Sequence, residues 1–250
     1  MSAATPSRNQ AERSDLTRSR ILDAALQEFA AHGLAGARTE QIAASAGVNK
    51  ALLYYYFESK EKLYIAALEM AAVTVRDASM AVFLSQASPG ERVLRTALNH
   101  FDRLLGQREF QSLMQQEMMR LHKGEQGALP LLVKRVFAPL QTMYQSMIRE
   151  GIASGELIDV DWLQIHLSSL GANVFYFLAA PVWRLILPFD PFDPEVLAQR
   201  RRSIVEFLGL ALFIDRAHGV ELARRVIADT PMPELNVNAE MFRGKDEPTK

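Results

Sequence analysis

The segment GVNKALLYYYFESKEKL, residues 47–63, concentrates four aromatic side chains between two lysines. Tyrosine hydroxyls can bond phosphate oxygens, tyrosine rings can lie against sugars or thymine methyl groups, and lysine ammonium groups can pair with phosphates. These residue types at this density indicate a contact with nucleic acid. The same rings could instead cover an apolar neighbour, so the direction in which each ring points decides between the two interpretations.

An α-helix that turns by about 100° per residue divides the four rings into two pairs. With Leu53 pointing inward, the buried or semi-buried side consists of Asn49, Leu52, Tyr56 and Phe57. The outward side consists of Lys50, Ala51, Tyr54 and Tyr55. We therefore expect Tyr56 and Phe57 to belong to the core, and Tyr54 and Tyr55 to face DNA beside a lysine and a small residue that permits close approach.

The residues before the aromatic segment follow the pattern of a helix-turn-helix. Ile42 and Ala43 fall in a first helix, Gly47 and Val48 in the turn, and Leu53 in a second helix. Ala43 allows the two helices to approach closely, and Gly47 permits the positive φ that a tight turn often needs. Generic helical hairpins also use Ala and Gly, so this pattern alone leaves both interpretations open.

The N-terminal elements that position this segment are predicted from apolar residues at helical spacing. The first helix carries an apolar face made of Ile21, Leu22, Ala25, Leu26 and Phe29. This helix is predicted to stop at Gly33. Thr39 is predicted to cap a short helix that ends near Ser45, a third helix to begin near Asn49, and Ser59 to cap a fourth.

The rest of the chain is also predicted to be helical, because no alternating run demands a strand. Ser88-Pro89-Gly90-Glu91 is a capping box with Pro at the first helical position, and Asp193-Pro194 is a similar start. Further helices are predicted over residues 89–105, 109–122, 130–153, 161–187 and 194–218. The fold class predicted from these patterns is all-α.

Composition excludes several classes of site. The chain has 250 residues and no cysteine, which excludes disulfides, thiolate nucleophiles and Cys-ligated zinc. The net charge is −1, and residues 1–62 carry eight Lys or Arg against seven Asp or Glu. A DNA-binding prediction must therefore rest on local geometry rather than on bulk charge.

The sequence contains no recognisable targeting signal or catalytic motif. The N-terminus has no apolar core typical of a secretory signal, and the longest apolar stretch, residues 167–182, falls short of the roughly 18–20 residues of a membrane span. The five histidines lack metal-ligand spacing, and there is no Gly-rich phosphate loop or nucleophile elbow. We expect a cytoplasmic protein without membrane partner, metal, cofactor or catalytic residues, and not an enzyme.

The segment TRSRILDAALQEFAAHGLAGARTEQIAASAGVNKALLYYYFESKEKL resembles the DNA-binding region of the TetR family of bacterial transcriptional regulators. The likeness covers residues 17–63, and the first-helix start, the GLAGARTEQIA link, the AGVNK turn and the LYYYFESKEKL run occur in order. It implies an N-terminal three-helix helix-turn-helix domain that binds DNA. It also implies a C-terminal helical body that binds a ligand and forms a dimer.

The resemblance implies roles for individual residues. The DNA-binding residues it indicates are Thr39, Asn49, Lys50, Ala51, Tyr54, Tyr55 and Lys60. Thr39 and Lys60 would contact phosphates, residues 49–51 would open the recognition helix, and the two tyrosines would lie at the DNA backbone. Asn49 and Leu52 depart from the small or hydroxylated residues common in the family, which leaves the base contacts open. Tyr56 stands where His is frequent.

The C-terminal body offers candidate interface and effector residues. Two apolar stripes could form a dimer interface of four helices: Leu163, His166, Leu167, Leu170 and Val174 in one, and Ile204, Phe207, Leu208 and Ala211 in the other. Each stripe could instead pack inside its own protomer. The candidate effector-binding residues are Met114, Met118, His122, Met143, Met147 and Phe175. Methionine stripes are more often core than pocket, and Phe175 could line either the cavity or the dimer interface.

These observations together predict a sequence-specific DNA-binding regulator. We expect a homodimeric repressor that binds near-palindromic double-stranded DNA and is released by a small, mainly apolar effector. The predicted domains are a flexible tail (1–15), the helix-turn-helix domain (16–62), the effector-binding and dimerisation domain (63–228) and a mobile C-terminal tail (229–250). The alternatives are a helical adaptor that binds protein and, with less support, an enzyme on a helical scaffold.

Overall fold

Helices account for the regular structure of residues 8–233, the part of the chain that the computed structural model describes. Side chains are described from residue 12 onward. The helices are α1 (Arg8–Gly36), α2 (Thr39–Ser45), α3 (Lys50–Phe57), α4 (Lys60–Phe83), α5 (Pro89–Gly106), α6 (Arg108–His122), α7 (Leu129–Leu132), α8 (Ala138–Ala153), α9 (Trp162–Ile186), α10 (Pro194–Leu212) and α11 (Arg216–Asp229). A π-helical turn, Val133–Phe137, joins α7 to α8. The all-α prediction is confirmed.

The chain divides into two compact units. The first comprises residues 1–76 and 108–138, and the second comprises residues 77–107 and 139–250. The division falls within α4 rather than at its start, and α6 and α7 belong to the first unit with α1–α3. The functional division predicted between residues 62 and 63 stays a prediction, because these units follow packing and not function.

The first unit is built around apolar side chains of the helices that surround the predicted helix-turn-helix. Phe29 of α1, Ile42 of α2, Leu53 of α3 and Leu113 of α6 are each fully buried. The ring of Tyr64 on α4 meets Phe29 edge to face, with centroids 5.0 Å apart. This core fixes the inner face of α3 and so determines which residues of α3 remain outside.

A buried carboxylate also ties the first unit together. Both Glu117 oxygens are bonded: Oε1 accepts from the Tyr64 hydroxyl at 2.9 Å and from Arg120 at 2.8 Å. Oε2 accepts from the backbone N–H groups of Ala128 and Leu129, at 2.5 and 3.1 Å. Glu117 therefore joins α4 and α6 to the start of α7 and satisfies N–H groups that a helix start leaves unpaired. We call these five residues the Glu117 cluster.

The second unit packs α5 against α9, α10 and α11 around a large apolar cluster that includes Phe101, Phe177 and Phe213. Helices α10 and α11 cross closely at two glycines. A Cβ atom on Gly209 would lie 2.4 Å from the Gly219 carbonyl oxygen, and one on Gly219 would lie 2.2 Å from that of Gly209. Larger residues would separate the two helices.

The predicted helix over residues 194–218 is wrong at its C-terminal end. Helix α10 stops at Leu212 because Phe213 turns into extended geometry and forms an isolated antiparallel bridge with Leu157. Phe213 is 1% exposed, so its ring fills the core while its backbone leaves the helix. Asp215 then caps α11, which the prediction missed, by accepting from the N–H groups of residues 217 and 218. Periodicity alone gave no sign of this break.

Both predicted tails overlap ordered structure. Helix α1 begins at Arg8, and Ser14 lies within it, although residues 1–15 were expected to be a flexible tail. At the other end, Arg201 donates to the carbonyls of Thr230 and Pro231 at 3.0 and 3.4 Å. Residues 1–7 and 234–250, which make up the rest of the two predicted tails, lie outside the described residues.

Most predicted helix starts are confirmed, with one exception. Ser88 accepts from the N–H of Glu91 at 3.2 Å, and Ser59 accepts from that of Lys62 at 3.1 Å. Thr39, by contrast, is the first residue of α2; the N-cap is Arg38, which makes no side-chain cap bond.

Helix α9 has an unusual surface. It is long enough and apolar enough to cross a membrane by length and composition, although the sequence analysis found no stretch that qualified. Only 22% of its most apolar window is buried within the chain. The helix therefore presents apolar side chains outward.

Candidate nucleic-acid interface

The turn between α2 and α3 has the geometry that its sequence predicts. Gly47 adopts φ 66°, a left-handed conformation in which a side chain is strained. The N–H of Gly47 donates to Ala44 at 3.1 Å, and that of Val48 donates to Ala43 at 2.9 Å. Ala43 is 3% exposed, consistent with a close crossing of the two helices. The helix-turn-helix prediction is therefore supported by the backbone as well as by the pattern.

The inward side of α3 holds the helix on its unit. Leu53 and Phe57 are buried, as predicted. Tyr56 is partly buried, and its hydroxyl lies 3.0 Å from the Ser14 hydroxyl on α1. The guanidinium of Arg18 lies 5.3 Å from the centre of the Phe57 ring. Helix α1 thus supplies the polar partner that a half-buried tyrosine hydroxyl needs.

The outward side of α3 is open at Tyr55 and Ala51. Tyr55 is 80% exposed, and its ring lies edge to face with that of Tyr56, with centroids 5.6 Å apart. Ala51 is also exposed and has no bulk that would hold a partner away. An exposed ring and hydroxyl beside a small residue form a surface that can approach a DNA groove closely.

Tyr54 and Thr39 do not lie as the sequence analysis expected. The Tyr54 hydroxyl is 3.3 Å from the Thr39 hydroxyl, and Tyr54 is only partly exposed. Thr39 itself is 6% exposed. The pair links α2 to α3, so in this arrangement the threonine hydroxyl is covered. Helical projection treats α3 in isolation and therefore could not show that α2 lies against Tyr54.

Lys50, the first residue of α3, is paired with a carboxylate of α2. Its ammonium group forms a short ion pair with Glu40, and both side chains are more than half exposed. This pairing lowers the pKa of Glu40 and raises that of Lys50 through their mutual hydrogen bond and charge. Exposed ion pairs exchange readily, so the lysine can leave Glu40 for a phosphate.

Asn49 and Lys60 have internal partners as well. Asn49 is exposed rather than inward-facing, and its side chain caps α3 by accepting from the N–H of Leu52 at 2.7 Å. The projection was wrong here because a cap residue lies outside the helical spiral. The Lys60 ammonium donates to the Ala35 carbonyl at 3.1 Å, which draws the lysine toward the end of α1.

Arg20 is a residue of this region that the sequence analysis counted as charge but did not single out. It is exposed on α1, and its guanidinium lies 3.8 Å from the position that a Cβ on Gly47 would occupy. Arg20 directly precedes the apolar face that begins at Ile21, and nothing in this local sequence signals that it lies beside a turn twenty-seven residues later.

The predicted effector residues are divided between the two units. Met114, Met118 and His122 belong to the first unit, whereas Met143, Met147 and Phe175 belong to the second. Met118 is 50% exposed and Phe175 is 58% exposed, while Met147 is buried in the core of its unit. The His122 ring bonds the Met118 carbonyl of its own helix at 2.9 Å. The assignment of these six residues to an effector site stays a prediction.

Some residues of the two predicted interface stripes are buried within the protomer, and others are exposed. Ile204 and Leu208 are each 6% exposed and belong to the core of the second unit, so packing within the protomer accounts for them. Phe207 is 67% exposed and Leu167 is 54% exposed, and Leu163 and Ala211 are also exposed. Leu170 and Val174 are intermediate. His166 packs against the Tyr144 ring, with centroids 4.6 Å apart.

Comparison with known proteins agrees with this geometry. Residues 21–67 match the family described as bacterial regulatory proteins, tetR family, and residues 89–208 match the tetracyclin repressor-like C-terminal domain. The HTH-type transcriptional repressor NicS of Pseudomonas putida is 30% identical over 168 residues, which is 67% of this chain and 78% of that protein. The HTH-type transcriptional repressor SCO4008 of Streptomyces coelicolor is 49% identical over 55 residues, 22% of this chain and 29% of that protein.

Solved structures share the fold. A γ-butyrolactone receptor described as an ArpA-like protein superposes with a TM-score of 0.59 at 22% identity, covering 87% of this chain and all of that one. This likeness concerns architecture alone, whereas the sequence relationship to NicS extends over 67% of the chain. The chain therefore belongs to the TetR family of bacterial regulatory proteins and is a DNA-binding transcriptional repressor of the helix-turn-helix type.

Proposed function

We propose that this repressor binds a near-palindromic operator as a homodimer and that a small, mainly apolar effector releases it. The main support for the DNA contact is that the two sides of α3 differ in exposure. Leu53 and Phe57 are buried, whereas Ala51 and the 80% exposed Tyr55 face outward. A helix anchored on one face and open on the other can enter a major groove as a rigid element.

In the proposed complex, Tyr55 and Lys50 make the principal contacts. The tyrosine hydroxyl bonds a backbone phosphate, and Lys50 exchanges Glu40 for a phosphate or a base edge. The Tyr54 hydroxyl gives a further contact while it stays close to Thr39, and Asn49 serves chiefly as the helix cap. Lys60 reaches phosphate only by leaving the Ala35 carbonyl, so we assign it a smaller part.

A second copy of the chain accounts for the exposed apolar side chains of α9 and α10. On α9 these include Leu167, Phe175 and Leu178, all more than half exposed. On α10 they are Phe207 at 67% and Leu210 at 51%. Exposed apolar patches of this kind are typical of protein interfaces, and a two-fold dimer would place two recognition helices on successive half-sites.

The test of the DNA contacts is a mobility-shift titration with DNA that flanks the gene of this protein. We expect Tyr55→Ala and Lys50→Ala each to weaken binding, by roughly 1–3 kcal/mol where the contact reads a base. Lys134→Ala is the matched control for Lys50→Ala. This exposed lysine lies outside α1–α4, and both substitutions remove one positive charge. Wild-type protein that binds no DNA at low salt, or variants that bind like the control, would refute the assignment of α3.

The test of the dimer is sedimentation of Phe207→Glu and Leu167→Glu variants. A charge on an exposed apolar interface should shift the mass from two chains to one, while circular dichroism stays unchanged because neither side chain is in the core. Arg216→Glu serves as the exposed control, since α11 begins outside the apolar face of α10. Variants that sediment like wild type would place the interface elsewhere.

A further inference from the structure

Two pairs of polar side chains, Asn173 with His100 and His166 with Tyr144, lie along α9 among the apolar helices of the second unit. His100 lies on α5, Tyr144 on α8, and His166 and Asn173 on α9. None is fully exposed: Asn173 is 0% and Tyr144 is 3% exposed, and the two histidines are intermediate. We call these residues the His100 cluster.

The contacts of Asn173 define one end of the cluster. Its Nδ2 donates to the Ala97 carbonyl at 3.1 Å and lies 3.1 Å from Nδ1 of His100. Because an amide nitrogen can only donate, His100 Nδ1 accepts and the ring carries its proton on Nε2. The remaining amide atom, Asn173 Oδ1, is buried without a hydrogen-bond partner. Buried acceptors are rarely left in this state, so each one requires an explanation.

The other end of the cluster also lacks protein partners, but unlike Asn173 Oδ1 its polar atoms are not fully enclosed. The rings of Tyr144 and His166 lie 4.6 Å apart at 51°. Within residues 12–233, no hydrogen-bond partner is found for the Tyr144 hydroxyl, for either nitrogen of His166 or for Nε2 of His100. The cluster therefore offers one enclosed acceptor and several donors that nothing in the described part of the chain uses.

Burial keeps the imidazoles neutral. Desolvation, followed by the charges of Arg103 and of a protonated His166, lowers the pKa of His100 to about 3. Burial also lowers the pKa of His166. Arg103 itself is held by the Ser79 hydroxyl and the Asn99 amide, and its pKa falls to about 10 because it is desolvated. A cation would meet no carboxylate among the four residues and would be repelled by Arg103.

Aromatic and aliphatic groups surround the cluster. Phe101, the next residue after His100, lies 5.2 Å from Phe177 by ring centroids, and both are buried. Met147, on the helix that carries Tyr144, belongs to the same apolar core. An occupant would therefore place a polar group at the His100 cluster and an apolar body against these side chains.

We propose that the His100 cluster is the polar end of the effector site, and that it takes an uncharged, mainly apolar molecule bearing a hydroxyl or amide group. A donor hydrogen of that group bonds Asn173 Oδ1, and its oxygen accepts from His100 Nε2 or the Tyr144 hydroxyl. Since Oδ1 is enclosed, binding requires the Asn173 amide to turn or α9 to shift slightly. This assignment rests on the proposed effector-released function and specifies its ligand class.

The test is a calorimetric and thermal-shift titration of the full chain with five probes that share one ring: benzyl alcohol, benzamide, benzoate, benzylamine and toluene. We expect benzyl alcohol and benzamide to bind saturably and to raise Tm, and the charged and purely apolar probes to do so at least about tenfold more weakly. Toluene binding as well as benzyl alcohol, or benzoate or benzylamine binding best, would overturn the proposed chemistry.

Two variants locate the binding. Asn173→Leu and His166→Phe should each weaken benzyl alcohol and benzamide about tenfold or more, while circular dichroism at 25 °C stays native. Met118→Leu is the control, because that residue is half exposed on a helix of the other unit. If either variant folds and still binds both probes with wild-type affinity, the proposed site is wrong. If one variant does not fold, the other variant provides the test.

Measurements of DNA affinity distinguish failure of the proposed ligand site from failure of the proposed effector release. DNA affinity without probe should be unchanged in Asn173→Leu, because this residue lies outside α2–α4. Probe binding that leaves DNA affinity unaltered at saturation would contradict effector release while preserving the site. Failure of the probes with normal DNA binding would contradict the site alone.

Discussion

The Glu117 cluster and the His100 cluster are both buried polar groups, but they differ in how fully they are satisfied. Each oxygen of Glu117 accepts two hydrogen bonds, from Tyr64, Arg120 and two backbone N–H groups. In the His100 cluster, Asn173 Oδ1 has no partner, and no partner of His100 Nε2 is found among residues 12–233.

The difference gives the two clusters different expected effects on stability. A buried charge with all its hydrogen bonds made holds elements in place, and removing it leaves several partners unpaired at once. A buried group with an unused hydrogen bond carries a desolvation cost, which a bound molecule that supplied the missing partner would offset. Stability measurements on matched variants can therefore test whether the two clusters differ as this account requires.

The largest expected effect belongs to Glu117→Ala. The change leaves the Tyr64 hydroxyl and the N–H groups of Ala128 and Leu129 without their acceptor, and it removes one of the acceptors of Arg120. We expect the free energy of unfolding in urea to fall by roughly 3–5 kcal/mol. A loss below about 1 kcal/mol would mean that the carboxylate is not the structural centre of this unit.

Tyr64→Phe should cost less than Glu117→Ala. It removes one hydrogen bond to the carboxylate while the ring keeps its edge contact with Phe29 at 5.0 Å. Three donors remain on Glu117, so we expect a loss of roughly 1–3 kcal/mol in the same urea experiment. A loss as large as that of Glu117→Ala would show that the tyrosine hydroxyl alone accounts for the cluster.

The pH dependence of stability should show whether His100 is a buried, neutral imidazole in the folded chain. Its pKa is about 3 in the folded chain and near 6.5 when unfolded. Between these values the unfolded chain binds a proton that the folded chain does not, so stability falls as pH decreases below 6.5 and continues to fall toward 3. We expect His100→Phe to flatten this slope by up to about 1.4 kcal/mol per pH unit, measured by urea unfolding between pH 7 and about pH 5. A variant with the wild-type slope would place a charged, solvated imidazole at this position.

The smallest effect is expected for Asn173→Leu. Leucine has a similar shape and removes the unpaired Oδ1 from the core, which offsets the lost bonds to Ala97 and His100. We expect the free energy of unfolding to change by less than about 1 kcal/mol in either direction. A loss like that of Glu117→Ala would erase the distinction between the two clusters.

The predictions from sequence succeeded where one element decides the outcome. The Gly47 turn, the burial of Leu53 and Phe57, and the exposure of Tyr55 all follow from the spacing within a single helical hairpin. The projection was wrong for Asn49, because a cap residue does not follow the helical spiral. Tyr54 was placed outside, yet its hydroxyl meets Thr39 on the neighbouring helix.

Predictions were weaker in the second unit, where long-range packing selects among similar apolar stripes. Ile204 and Phe207 were assigned to one stripe, but the former is in the core and the latter is 67% exposed. The end of α10 at Leu212 depends on a bridge to Leu157, fifty-five residues earlier in the chain.

By itself, the sequence determined the all-α class, the helix-turn-helix and the face of α3 that stays open, because periodicity, caps and the Gly47 turn act over a few residues. Only the tertiary structure decided which buried polar groups are satisfied. Glu117 and Asn173 are both polar residues within helices, and the sequence does not show that one meets Tyr64 and the start of α7 while the other keeps an unpaired oxygen. Hydrogen-bond partners distant in the chain are set by how helices pack, which local spacing does not encode.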